Sequence, residues 1–203
     1  MFKRQHQRFT NRLESRFGPM WASVILFFIE IVQIIIVSLL IIWPVRTYLI
    51  KPFVVRGASM EPNFYDREYL IIDELSYQFF EPIRGQIVVF RYPRDETQFF
   101  IKRVVGLPGE TVEVSDGHLT IYNKEFPVGF VLEEPYIGSE QTLGKVHREL
   151  NDDEYFVMGD NRGYSLDSRS FGPIVREEMI GRVWFRGFPF NRIGSFALPD
   201  YNF

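Results

Sequence analysis

Gln86-Ile87-Val88-Val89-Phe90-Arg91-Tyr92 and, a short way on, Phe99-Phe100-Ile101-Lys102-Arg103-Val104-Val105 are the stretches whose reading decides the fold. Both are rich in β-branched and aromatic residues and are bounded by turn formers, so both predict strands. Pro93-Arg94-Asp95-Glu96 between them predicts a loop. Upstream, Phe53–Arg56 and Glu68–Asp73 predict further strands, with a helical turn over Glu74–Phe80. Downstream, Leu107-Pro108-Gly109-Glu110 puts Pro and Gly at the centre of a type II turn, where glycine supplies the positive φ. Thr111–Ser115 and His118–Tyr122 flank Asp116-Gly117, a two-residue hairpin signal. Residues 123–153 alternate turns with weak strands and read as an insertion on the core sheet. Glu154–Met158 and Arg182–Arg186 predict later strands, and Arg176–Ile180 a short helix. There is no internal repeat and no helix–strand alternation, so the expectation is a mainly β, antiparallel domain.

The chain has 203 residues, enough for one anchor and one globular domain with a core. It has no cysteine, which excludes a thiolate nucleophile, a Cys-based metal site and a disulfide framework. The net charge of −3 conceals an asymmetry: residues 1–20 carry Lys3, Arg4, Arg8, Arg12 and Arg16 against Glu14. Trp21 to Trp43 follows, nearly all apolar, with Trp at both ends and Pro44 after it. At 1.5 Å per residue this is about 34 Å of helix, enough to span a bilayer. A basic tail ahead of such a span stays in the cytoplasm, which puts the rest of the chain on the outer face. The basic tail could be read as a nucleic-acid arm, but the span behind it argues against that. The expected organisation is a cytoplasmic tail over 1–20, a signal anchor over 21–43 and an extracytoplasmic domain over 44–203. Glu30 and Gln33 lie three apart and share one face of the span, where an acid is expensive. Either the acid is accommodated alone, protonated or shallow, or the face contacts another membrane helix.

The chemistry centres on Gly57-Ala58-Ser59-Met60-Glu61-Pro62. A serine in a turn is usually only a turn residue. Here Val54, Val55 and Met60 supply apolar, substrate-binding surface beside Ser59, and Gly57 permits close approach of another backbone. Serine needs a base to act as a nucleophile. His6, His118 and His147 lie in the basic tail, a hairpin and a polar stretch, and none suits the task. Lys102 does. Strand alternation puts it on one face with Phe100 and Val104, with Arg103 on the other. Burial lowers a lysine pKa, and a neutral amine can take the serine proton. A third polar cluster, Gly159-Asp160-Asn161-Arg162-Gly163-Tyr164-Ser165-Leu166-Asp167-Ser168-Arg169, follows the strand Glu154–Met158 directly. Nothing in the sequence points to a metal or an organic cofactor.

In order and spacing these three stretches resemble the bacterial type I signal peptidases, membrane-anchored serine/lysine endopeptidases. The resemblance implies an antiparallel β catalytic domain of the kind shared with self-cleaving SOS-repressor peptidases. Those relatives lack a membrane span, and ER-type signal peptidases carry histidine where Lys102 stands. It implies that Ser165 hydrogen-bonds the catalytic lysine, that Asp167 and Arg169 pair to hold the site, and that Gly159, Asp160, Asn161 and Arg103 belong to the supporting motifs. Some members use a serine two residues before the nucleophile to hold the oxyanion. Gly57 occupies that position here, so the Ser59 backbone N–H needs a second donor from elsewhere. The implied substrates are exported preproteins cut after a small-x-small sequence through an acyl-enzyme, with membrane lipid and the protein-export channel as further partners. A reading of a different class is a tethered β domain that binds a partner without catalysis.

Overall fold

The computed structural model describes residues 18–44, 51–138 and 141–201, so the basic tail up to residue 17 lies outside the described residues. The chain divides into two units, residues 1–47 and residues 48–203. Among the described residues the first holds one helix, α1 (Pro19–Pro44). Its apolar residues surround it on every side, a composition that suits burial in hydrocarbon and not one face of a soluble core. It is long and apolar enough to cross a membrane.

The second unit is built from β1 (Lys51–Val54), β2 (Tyr69–Asp73), β3 (Ile87–Tyr92), β4 (Asp95–Gly106), β5 (Thr111–Ser115), β6 (His118–Tyr122), β7 (Phe130–Val131), β8 (Val146–Glu149), β9 (Glu154–Met158), β10 (Ile174–Val175), β11 (Met179–Phe188) and β12 (Gly194–Ser195), with a one-turn helix, α2 (Ser168–Phe171), before β10. The large sheet runs β1-β2-β11-β3-β4-β9-β10, with β12 beside β11. Every pairing in it is antiparallel. The smaller sheet runs β7-β6-β5-β8.

The mainly β, antiparallel expectation holds, and several element bounds move. β4 begins at Asp95, because Tyr92 pairs with Asp95 across a tight Pro93-Arg94 turn. Half of the expected loop over 93–96, Asp95 and Glu96, is therefore strand. β1 ends at Val54, two residues short of the expected Arg56, and Val55 instead exchanges bonds with Arg67 and Glu68 beyond the pairing register. The helix expected over 176–180 is a 3-10 turn over Arg176–Glu178, and Met179 already belongs to β11. The Asp116-Gly117 hairpin forms as expected, with both residues at positive φ. Gly109 has φ 73° in its turn.

The smaller sheet starts at Thr111, ahead of the stretch 123–153 expected as an insertion. Val112, Val114, Leu119 and Ile121 alternate onto one face of the β5–β6 hairpin, and that face is buried against Val105, Phe156, Leu132 and Leu150. The hairpin can bury it only by completing a sheet with β7 and β8. Gly106 is where the two sheets touch: a Cβ there would sit 2.5 Å from Val112 Cγ2 of β5. A second cluster, Val55, Met60, Phe64, Leu70, Ile72, Ile87, Val89, Ile101 and Val183, fills the large sheet. The buried pair Arg84–Glu110 joins the sheets, with Glu110 Oε2 also accepting from the Leu107 N–H.

Candidate active site

The turn that carries Ser59 is pinned from beneath. Val55, Met60 and Phe64 are buried on either side of it, and Phe64 N–H donates to Met60 O. The half-buried Ser59 between them is left facing outward. Gly57, at φ 85°, closes the approach to the turn and donates its N–H to Asp66 Oδ1 at 2.9 Å. Open space surrounds the place where a Gly57 Cβ would stand.

Lys102 comes from the middle of β4, paired with Val88 of β3. It is 4% exposed, and its Nζ lies 2.7 Å from Ser59 Oγ. Nζ also donates to Ile101 O at 2.8 Å and stands 5.4 Å from the centre of the Phe100 ring. Removal from water is the dominant influence and lowers the amine to about 8. The carboxylates of Asp167 and Asp160 pull weakly the other way. The amine is thus poised to be neutral in an appreciable fraction near neutral pH.

Arg103, the next residue, points to the opposite face as strand alternation requires. Its Nε and Nη2 grip Asp160 at 2.8 and 2.7 Å, and its Nη1 donates to Gly85 O. Burial opposes the guanidinium charge, but Asp160 outweighs it and holds the arginine above its ordinary value. The loop after β9 then returns to Ser59. Asn161 N–H donates to Ser59 O at 3.1 Å, and Asn161 Nδ2 donates to Ala58 O at 3.0 Å. Gly159 has no room for a side chain, because a Cβ would fall inside van der Waals contact of both Ser59 O and Ser165 Oγ. Asp167 caps α2 by accepting from the Arg169 N–H, and its carboxylate is gripped at both oxygens by the Arg169 guanidinium, at 2.9 and 2.8 Å. Burial raises the Asp167 carboxyl, but Arg169, Ser165 and the Gly159 N–H together bring it below the usual range.

Ser59, Lys102, Arg103, Gly159, Asp160, Asn161, Ser165, Asp167 and Arg169 are thus brought into one region. Ser165 differs in detail from its expected part. Its Oγ is buried beside Gly159 and the Asp167 carboxylate and is not hydrogen-bonded to Lys102. The expected substrate surface also changes. Val54 lines a cleft of about 580 Å³ that opens onto the dyad, together with Phe53, Arg56 and residues 97–102. Val55 and Met60 do not line it, since both are 1% exposed and lie in the core. Val55 alternates away from Val54, and Met60 anchors the turn.

Asn63 was not legible as a site residue. Its Nδ2 donates at 2.8 Å both to Asp160 Oδ2 and to Tyr136 O, tying the Ser59 turn to the aspartate that holds Arg103. The Tyr136 ring packs 4.0 Å from the Arg103 guanidinium. Only the position of Asn63, four residues after Ser59, could have hinted at this. Among the described residues no group of His, Asp and Glu is arranged to hold a metal ion.

Residues 28–188 match the family described as signal peptidase, peptidase S26. A probable signal peptidase I-2 from Synechocystis is 34% identical over 172 residues, which is 82% of this chain and 76% of that protein. A signal peptidase I from Bacillus amyloliquefaciens is 35% identical over 170 residues, 78% of this chain and 87% of that one. The crystal structure of a signal peptidase I from Enterococcus faecalis aligns at a TM-score of 0.44 with 32% identity, covering 51% of this chain and 97% of that one.

Proposed function

The chain belongs to the signal peptidase family, peptidase S26, and on that premise we propose that it removes signal peptides from exported preproteins with Ser59 as nucleophile and Lys102 as general base. The observation that carries the roles is the 2.7 Å contact between Ser59 Oγ and a buried amine lowered to about 8. The neutral amine takes the hydroxyl proton as Oγ attacks the scissile carbonyl carbon. The resulting ammonium returns a proton to the departing amine as the C–N bond breaks. The acyl-enzyme that remains is hydrolysed by a water that gives its proton to the same amine. The Ser59 N–H supports the oxyanion, and Arg103, Asp160, Asn161, Ser165, Asp167 and Arg169 hold the dyad in register.

The cleft supports an extended substrate. Through four antiparallel steps β1 and β4 run in the same direction. Among the described residues β1 pairs only with β2, and residues 95–101 of β4 pair only with β3. Two unpaired edges therefore border the cleft, and a peptide laid between them can add a strand. Small residues at the first and third positions before the cut suit side chains that alternate toward the cleft wall. The basic tail puts the N-terminus in the cytoplasm and the catalytic unit on the outer face, with α1 held in lipid.

The test is cleavage of a preprotein by the detergent-solubilised full chain, beside Ser59→Ala and Lys102→Met. Cutting after a small-x-small sequence that both variants lose supports the dyad and the specificity together. Cutting retained by Lys102→Met removes the lysine from the mechanism. Uncut preprotein that still binds all three proteins favours a tethered binding domain.

A further inference from the structure

Glu30 and Gln33 sit in the middle of α1, eleven and fourteen residues from Pro19. At 1.5 Å per residue Glu30 is about 3 Å from the midpoint between Trp21 and Trp43. The acid is therefore not shallow, and neither interface is within reach of its side chain. It is the one charged residue of the helix, which has no Lys or Arg to neutralise it. Both side chains are exposed on the helix surface. At 100° per residue Glu30, Gln33, Leu26 and Val37 share one face, and Phe28, Val32 and Leu39 share the opposite one. A polar pair at this depth is costly unless another polar group meets it.

We propose that this face self-associates, so that α1 pairs with a second copy of the chain through Glu30 and Gln33. The inference rests on α1 spanning the membrane as proposed above. A two-fold interface requires that residue i of one copy meet residue j of the other and the converse. Glu30 and Gln33 meet that requirement. The Gln33 amide donates to the carboxyl of the facing Glu30, and the two-fold axis, which runs along the paired helices, repeats the bond at the same depth. Each carboxyl thereby gains a donor from the facing helix. A foreign helix would need to supply the same acceptor–donor spacing, whereas a second copy carries it by construction. Leu26 and Val37, above and below the polar pair, supply apolar contact.

The absence of cysteine makes the test direct. Single cysteines are placed at Leu26, Val37, Phe28 or Leu39 of the full chain, which is reconstituted in lipid vesicles and oxidised with copper phenanthroline. The expected result is disulfide-linked dimer from Leu26→Cys and Val37→Cys and little from Phe28→Cys or Leu39→Cys. Adding Glu30→Leu with Gln33→Leu lowers the dimer yield from Val37→Cys about tenfold. That double variant is more apolar than the parent and stays in the membrane pellet after alkaline extraction. Equal crosslinking on both faces, or yield unchanged by the double substitution, overturns the proposal. Extraction of the parent chain by alkali would instead overturn the membrane-spanning reading itself.

Discussion

In the proposed mechanism Lys102 must be uncharged to act, and its burial has consequences for rate and for stability. The rate depends on the neutral amine, so kcat/KM rises with pH through a single ionisation near 8 and levels above it. A pH profile of preprotein cleavage checks this, and a profile flat from pH 6 to 9 would contradict it. Lys102→Met, similar in length and never charged, lowers turnover about a thousandfold or more. The same variant is expected to be more stable. In the unfolded chain the amine titrates near 10.5 and in the folded one near 8, so between these values the unfolded chain binds more protons and stability climbs with pH. Below pH 8 the cost of the buried charge is fully present, at most about 3 kcal/mol. Lys102→Met therefore melts higher than the parent at pH 7, and the gap closes as the pH passes 10.5. Equal melting temperatures at pH 7 would mean that the amine is better solvated than its surroundings imply.

β4 and the loop after β9 meet edge to edge, and their contact holds the dyad in place. Arg103 and Asp160 are both essentially fully buried, so removing one leaves an unpaired charge. Arg103→Ala is expected to destabilise by about 3–5 kcal/mol and to abolish cleavage, read by thermal melting and by activity. Gly159→Ala forces the Ser59 backbone or the Ser165 side chain to move and lowers kcat about a hundredfold with a smaller change in KM. Most of the strands were legible, because period-two alternation and turn residues are local signals. Lys102, Ser59 and the polar loop were legible as motifs. The links among them were not. That Asn63 would reach Asp160, or that Met60 would plug the core and not line the cleft, depends on how strands distant in sequence come together. The Tyr92–Asp95 pairing was missed because Pro and charged residues there read as loop, while a two-residue turn between paired strands overrode them.

Among the described residues the catalytic unit has three buried apolar clusters, and the one under the smaller sheet is coupled to the large sheet through Gly106 and the Arg84–Glu110 pair. Glu110→Ala breaks a buried ion pair remote from Ser59. It is expected to lower the melting temperature by about 10 °C while leaving the pH profile of the surviving activity unchanged. A shifted profile would show that the smaller sheet influences Lys102. The open flanks of β1 and β4 have a consequence for what the enzyme can recognise. A peptide seated between them is held chiefly by its amide groups, which every sequence shares, so the first sorting is by backbone and only the second by side chain. N-methylation of successive amides in a good substrate would then impair cleavage at every position seated between the strands, odd positions losing a bond to one edge and even positions a bond to the other, with all side chains intact. Proline would be refused at the same places. Such a protease accepts many unrelated cargoes and still rejects a chain that cannot straighten.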